Sequence, residues 1–223
     1  MHLPEVPGAF SWTLESWGPA LRCGPLGAIA EHLFTTRHLE LRPSTGSGRH
    51  ELVGGRGPGA GGRDPQLRNE SGGWSALARA IEVPADDLVR VRQVHGRGVV
   101  VVQRGQPRPS AVYPPEADVL ISNDGQCAIA VLSADCVPLL IADPTTGVVA
   151  AAHAGWRGTA AGAARAAVEA MHREFGVTAA DLVAAIGPSI GACCYEVGEE
   201  LVDAFVAAGH QRAEIDRWFL RGR

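Results

Sequence analysis

Residues 127–153 read CAIAVLSADCVPLLIADPTTGVVAAAH, a stretch that contains three short apolar runs of strand length. The runs are Cys127 to Ser133, Val137 to Ala142 and Val148 to His153. Apolar runs of this length without polar alternation are typical of strands that are buried on both faces. Residues 143–147, DPTTG, supply turn chemistry between the last two runs, so we predict a hairpin there.

Helical and strand patterns flank this stretch on both sides. Helical spacing is found at Trp74 to Val83, Thr159 to Phe175 and Glu199 to Ala208, and further strand patterns at Leu88 to Val94, Gly98 to Gln103 and Leu182 to Ile186. Pro84 ends the first helix, and Gly176 is a candidate C-cap of the second. Strands mixed with helices, with a hairpin among them, predict an α/β or α+β sandwich with a mixed sheet.

The composition is that of an ordinary globular protein. With 223 residues, 46% apolar and 20% charged, the chain is long enough to bury a real core, and we expect a single domain over residues 1–223. Residues 46–62 are rich in glycine and are predicted to form a flexible loop. A net charge of −4 provides no broad cationic field, which argues against nucleic acid or an anionic membrane as a partner and favours a small ligand.

Cysteine usage and the N-terminal residues bear on the compartment. The five cysteines include a vicinal pair, Cys193 and Cys194, which suits no disulfide framework and indicates a reducing environment. No signal-peptide pattern and no run of about 20 apolar residues is evident in the sequence. We therefore expect a cytoplasmic protein.

Three residues with metal-binding side chains lie at strand ends or just beyond them, namely His95, Cys136 and His153. Two imidazoles and one thiolate form a known catalytic zinc shell that leaves the fourth tetrahedral position for water or substrate. Their wide spacing means that they can meet only through tertiary structure. Taken singly, each also fits the role of a packed core or surface residue.

Two further residues near these candidates suggest chemistry. Asp135 precedes Cys136 beside an apolar strand, so its burial would require a partner such as a ligating histidine or a substrate hydroxyl; a turn-bonding aspartate is the alternative. Arg157 lies in the strand-to-helix junction GWRGT, residues 155–159, where a guanidinium and free amides could hold an anion. A helix cap with a solvated arginine explains the same residues.

Read together, five motifs resemble one family: RQVHG (92–96), ADVL (117–120), ADCVP (134–138), HAGWRGT (153–159) and IGPSIGACCYEVG (186–198). It is the laccase-domain family, also called the multicopper polyphenol oxidase or purine nucleoside phosphorylase family, which includes the bacterial peptidoglycan editing factor. The resemblance runs from about Phe34 to Phe219 and follows the motif order of the family.

The resemblance implies an α/β sandwich and a mononuclear zinc on His95, Cys136 and His153. It further implies phosphorolysis of adenosine, inosine and methylthioadenosine, with adenosine deamination as a second activity, so the partners would be a purine nucleoside and phosphate. Arg37 matches an arginine near the family's active site and joins Asp135 and Arg157 as a catalytic candidate. Copper is less expected, because a blue-copper centre has a weak axial methionine.

Two departures from the family pattern leave other functions open. After Arg37 the family's Gly-Ser-rich turn is absent, and the chain stops at Trp218 to Arg223, where relatives carry a further segment, so we expect a shortened C-terminus. One alternative is a hydrolase that removes serine from a UDP-sugar precursor of peptidoglycan. Another is an interaction domain in which zinc is a structural staple and no reaction is catalysed. The oligomeric state is not predicted.

Overall fold

A computed structural model of the chain describes residues 3–36, 39, 41, 72–111 and 113–219. Its strands are β1 (Phe10–Glu15), β2 (Gly18–Cys23), β3 (Leu88–Val89), β4 (Val99–Val102), β5 (Val119–Ser122), β6 (Ala128–Ile129), β7 (Val137–Ala142), β8 (Val149–Ala154) and β9 (Val183–Ile186). Its helices are α1 (Gly24–Gly27), α2 (Gly72–Ala80), α3 (Trp156–Ala161), α4 (Ala163–Phe175), α5 (Glu199–Ala207) and α6 (Arg212–Trp218). None of these helices is long and apolar enough to cross a membrane.

The central sheet has five strands in the order β4-β5-β8-β7-β9. Strands β4 and β5 are parallel, whereas β5–β8, β8–β7 and β7–β9 are antiparallel pairs. The sheet is therefore mixed, as the sequence predicts. In the predicted β7–β8 hairpin Ala142 pairs with Val149 beside the turn and Val137 pairs with Ala154 at the far end.

Both faces of this sheet are covered. Helix α4 lies on one face, where Ala163, Ala167 and Met171 pack in one cluster with side chains of β5, β7 and β8. The β1–β2 hairpin, α1 and Phe34 cover the other face. These layers confirm the α/β sandwich, and the burial of β7 and β8 between them explains their continuous apolar sequences.

The predicted helix from Thr159 to Phe175 is wrong in its boundaries. It is divided at Gly162, whose φ of 84° lies in the left-handed region and ends α3 before α4 begins. A left-handed residue cannot continue a right-handed helix, and glycine adopts it without a Cβ penalty. Gly176 is confirmed as the C-cap of α4, with its N–H bonded to the His172 carbonyl.

Two predicted strands are shorter than their apolar runs. The run from Leu88 to Val94 forms only β3 and an isolated bridge from Arg92 to Glu116, and the run from Cys127 to Ser133 forms only β6. Pairing between the two segments continues through the Gln93 side chain instead of through the backbone. The predicted glycine-rich loop at 46–62 lies outside the described residues.

Candidate metal centre

The side chains of His95, Cys136 and His153 meet at one end of the central sheet. One donor atom from each residue lies within 4.8 Å of the others, so the cluster could hold a metal ion. The two imidazole rings stand edge to face, with centroids 4.8 Å apart. The β7–β8 register explains why two of the three residues are close. Because Val137 pairs with Ala154, Cys136 and His153 lie together at the open end of the hairpin.

His95 reaches the cluster from a turn in an unusual conformation. Its φ of 60° is left-handed, which is uncommon for a residue with a side chain. The Asp118 carboxylate holds the turn: Oδ1 accepts the His95 N–H at 3.0 Å, and Oδ2 accepts the N–H groups of Gly96 at 2.6 Å and Val94 at 3.3 Å. These bonds offset the cost of the strained backbone.

Asp118 also orients the second histidine. Its Oδ1 accepts a hydrogen bond from His153 Nδ1 at 2.8 Å, and its backbone carbonyl accepts the His153 N–H, also at 2.8 Å. A carboxylate acceptor selects the tautomer with the proton on Nδ1, which leaves the Nε2 lone pair free. Such a carboxylate behind a ligating histidine fixes the ring and increases its basicity. Asp118 is fully buried. Through these hydrogen bonds its single carboxylate positions two of the three candidate ligands, His95 and His153.

The Gln93 amide ties the His95 segment to the Cys136 segment. Its Nε2 donates to the Leu132 carbonyl at 2.8 Å, and its Oε1 accepts the Leu132 N–H at 2.7 Å. The two hydrogen bonds take the place of backbone pairing between the segments. They join a residue two positions before His95 to a residue four positions before Cys136. The turn that follows is closed by a hydrogen bond from the Ser133 hydroxyl to the Cys136 carbonyl.

Position 155 requires glycine because neighbouring atoms leave no room for a side chain, and not because of its backbone conformation. Its φ is −70°, but a Cβ placed on it would lie 2.9 Å from Cys136 Sγ and 3.0 Å from His95 Cδ2. Gly158 is equally constrained, since its Cβ would lie 2.9 Å from the Gly96 carbonyl oxygen. The start of α3 therefore packs directly against two of the candidate ligands and the turn that holds one of them.

The electrostatic surroundings of the cluster are negative. Burial raises the pKa of the Cys136 thiol, and the charges of Asp135 and Asp118 raise it further. A cation among the three donors would oppose both effects and favour the thiolate. The donor set fits zinc, because two imidazoles and a thiolate are sufficient for a tetrahedral shell with one open position.

The predicted catalytic residues Asp135, Arg157 and Arg37 are not members of the three-donor cluster. Asp135 is exposed, so it needs no buried partner, and the carboxylate that bonds the candidate ligand His153 is Asp118. Arg157 is exposed and stacks on Trp156, with its guanidinium carbon 4.0 Å from the ring centroid. Arg37 lies outside the described residues.

The cluster opens into a broad cleft. Its lining includes all three candidate ligands together with Asp135, Phe34 and Pro188. Its volume of about 1810 Å³ exceeds the ~300–1,000 Å³ that is usual for small-ligand sites.

Residues 69–220 match the family described as multi-copper polyphenol oxidoreductase laccase. The chain belongs to this family. The resemblance drawn from the five motifs is thereby confirmed. A crystal structure of another family member, YlmD from Geobacillus stearothermophilus, aligns with a TM-score of 0.64 at 30% identity, covering 86% of this chain and 70% of that one. The YfiH protein of Bacillus licheniformis aligns with a TM-score of 0.62 at 31% identity, covering 71% and 59%.

Several relatives carry the names of enzymes that act on nucleosides. Adenosine deaminase RL5, from an unknown prokaryotic organism, is 42% identical over 137 residues, which cover 59% of this chain and 52% of the relative. Purine nucleoside phosphorylase SCO2081 of Streptomyces coelicolor is 45% identical over 125 residues, which cover 56% and 50%. The chain therefore spans about half the length of these two relatives. Purine nucleoside phosphorylase YlmD is 30% identical over 216 residues, which cover 89% and 70%.

Sequence reasoning missed the roles of Asp118, Gln93 and Gly155. Asp118 stood in a recognised motif without an assigned function, although it precedes an apolar strand in the same way as Asp135. The argument that a carboxylate beside a buried strand needs partners applies to both residues. The sequence does not show which of the two is buried.

Proposed function

We propose that this chain is a zinc-dependent purine nucleoside phosphorylase, acting on adenosine, inosine and methylthioadenosine. The observation that carries the proposal is the cluster of two imidazoles and a thiol, within 4.8 Å of one another in an open cleft. Relatives named as purine nucleoside phosphorylases, at 45% and 30% identity, support the substrate class. Zinc bound to His95, Cys136 and His153 would supply a Lewis acid with one coordination position open for substrate or water.

The donor set favours zinc over copper. A blue-copper centre adds a weak axial methionine to two histidines and a cysteine. Met171 is fully buried on α4 in the core cluster, and Met1 lies outside the described residues. Among the described residues, therefore, no methionine thioether is available as an axial ligand of the cluster. The proposed role of the metal is polarisation of the substrate and not electron transfer.

The proposed reaction breaks the glycosidic bond. A phosphate oxygen attacks the anomeric carbon of the ribose, the bond from that carbon to the purine nitrogen breaks, and the purine leaves with its electron pair and takes up a proton. The products are ribose 1-phosphate and the free base. Positive charge develops on the sugar, so anionic groups nearby stabilise the transition state.

Three residues of the chain are proposed to position the reactants. Arg157 binds phosphate through its guanidinium, which can make two parallel hydrogen bonds that a lysine cannot, and the Trp156 ring beneath it limits its conformations. Arg37, which lies outside the described residues, is proposed as a second cationic contact on the family resemblance alone. Asp135, exposed in the cleft beside Cys136, accepts a hydrogen bond from a ribose hydroxyl.

Adenosine deamination is proposed as a second activity of the same site. It is favoured by the coordination position that a zinc ion on these three donors would leave open, and by the relative named adenosine deaminase RL5, at 42% identity. Water adds to purine carbon 6, and ammonia leaves. We assign the exposed Asp135 carboxylate, which lines the cleft, the role of accepting the proton of the attacking water.

Inosine separates these activities, since its carbon 6 already carries oxygen and cannot be deaminated. Zinc-loaded protein is incubated with inosine, with and without phosphate, and the products are identified by mass spectrometry. We expect hypoxanthine and ribose 1-phosphate in the presence of phosphate, and little hypoxanthine without it. Free ribose released at the same rate without phosphate would contradict phosphorolysis.

The matched variant is Arg157→Lys, which retains the positive charge and loses the planar fork. We expect about a tenfold rise in the phosphate concentration needed for half-maximal rate, with zinc content unchanged. Unaltered phosphate dependence would assign Arg157 a structural role. With adenosine, the formation of inosine reports the second activity.

A further inference from the structure

The loop that follows β9, residues 187–198, is attached to the segment that carries Cys136. The Gly187 N–H donates to the Pro138 carbonyl at 2.8 Å, and the Ile190 N–H donates to the Asp135 carbonyl at 3.0 Å. Pro188 lines the cleft between these two attachments. The loop is therefore part of the cleft wall, although none of its side chains belongs to the three-donor cluster.

This loop presents two adjacent thiols to solvent. Cys193 and Cys194 are both exposed, and their Sγ atoms lie 3.1 Å apart. The backbone beneath them is a tight turn, in which the Gly191 carbonyl accepts the N–H groups of Cys194 at 3.0 Å and Tyr195 at 3.1 Å. The turn holds both thiols on the same side of the chain.

We propose that Cys193 and Cys194 form a dithiol site that takes a trivalent thiophilic ion of the arsenic(III) type. The site is separate from the candidate metal centre and does not depend on the proposed nucleoside chemistry. Nothing in the His95, Cys136 and His153 arrangement requires these two thiols.

Soft ions differ in the sulfur separation that they need. Two thiolates on a tetrahedral zinc, with bonds of about 2.3 Å, are separated by roughly 3.8 Å. A two-coordinate linear ion with bonds of the same length needs roughly 4.6 Å. A pyramidal trivalent ion, whose bond angles approach a right angle, needs roughly 3.3 Å at that bond length. The observed 3.1 Å is nearest to the pyramidal case.

The protonated form of the Cys194 thiol is compatible with the same ion. The hydrogen bond with Cys193 raises the pKa of the Cys194 thiol, which favours its protonated form. A divalent cation must displace protons from both sulfurs into solvent. An arsenic(III) hydroxide instead condenses with the thiols: two As–S bonds form, two As–O bonds break, and each thiol proton leaves in a water molecule. Arsenic remains trivalent, so no oxidant or reductant is needed.

Phenylarsine oxide is the probe, added to the reduced, metal-loaded 223-residue chain in the presence of an excess monothiol. Native mass spectrometry then counts phenylarsenic groups per chain. We expect one adduct that resists the monothiol and is removed by a competing dithiol. Cys193→Ser and Cys194→Ser should each weaken binding at least about tenfold, because the second As–S bond benefits from the high effective concentration of a neighbouring thiol.

The matched control is Cys127→Ser, which removes a half-buried thiol that contacts Ser122 and the Asp124 carbonyl, away from the pair. It should bind the probe as tightly as the wild type. Unchanged affinity in Cys193→Ser or in Cys194→Ser would overturn the proposal. So would loss of the adduct in Cys127→Ser, or a wild-type chain that forms no monothiol-resistant adduct.

Discussion

Replacing Asp118 by asparagine tests whether this one buried carboxylate organises the metal centre. All four groups bonded to its side chain are donors: the N–H groups of Val94, His95 and Gly96, and His153 Nδ1. Asparagine has the same shape but presents an NH₂ group in place of one oxygen. Whichever way the amide is turned, two of the four donors lose their acceptor.

The magnitude follows from those lost bonds. A hydrogen bond to a charged group contributes about 1.5–3 kcal/mol, and a buried donor without an acceptor costs about 1–3 kcal/mol. We therefore expect Asp118→Asn to lower the free energy of unfolding by about 3–5 kcal/mol. Loss of the carboxylate behind a ligating histidine should weaken zinc binding about 10–100-fold, which corresponds to about 1.4–2.7 kcal/mol.

Zinc affinity is measured by competition with a chromophoric chelator, and the free energy of unfolding of the metal-free protein by urea titration. Asp143→Asn is the matched control, because Asp143 is also buried and accepts the N–H groups of Thr145 and Thr146, but in the turn at the opposite end of β7 and β8. It should destabilise the fold and leave zinc affinity within about threefold of the wild type. A folded Asp118→Asn protein with wild-type zinc affinity would refute the reasoning, as would an equal loss in the control.

Three further outcomes are expected. Gly155→Ala should weaken zinc binding at least about tenfold, because the new Cβ occupies the space beside two ligands; an unchanged chelator titration would contradict this. Gln93→Leu should cost about 1–3 kcal/mol and accelerate hydrogen exchange at the Leu132 amide, and unaltered exchange would argue against the amide link. Burial lowers the pKa of His32, which accepts the Cys23 N–H at 2.9 Å, so below about pH 6.5 the unfolded chain takes up a proton that the folded chain resists. Stability should therefore fall between about pH 7 and about pH 5, and the fall should be smaller in His32→Gln, as measured by urea unfolding at both pH values; equal falls would exclude the residue as the cause.

The sequence predicted the elements that local patterns determine. Strand β7 has the predicted bounds because an apolar run ends at a turn of Asp, Pro, Thr and Gly. The candidate ligands could be chosen because His95, Cys136 and His153 carry donor side chains at strand ends, and the structure places them together.

Other features depend on contacts between distant segments and could not be read from the sequence. Strand β5, only four residues long, was not predicted, although it lies between β4 and β8. The left-handed conformation of His95 depends on Asp118, which is 23 residues away. Asp135 and Asp118 both stand beside apolar strands, and only the packing of the sheet shows that Asp118 is the buried one.

The origin of the three donors in separate segments has a consequence for the lifetime of the folded chain. His95, Cys136 and His153 come together only after β5, β7 and β8 have paired, so an unfolded chain offers an ion single, unlinked donors. A bound ion would therefore favour the folded chain over the unfolded one. By mass action, an ion present at 1,000 times its dissociation constant adds about 4 kcal/mol to stability. A larger supply of metal would thus reduce the population of unfolded chain that proteases can attack.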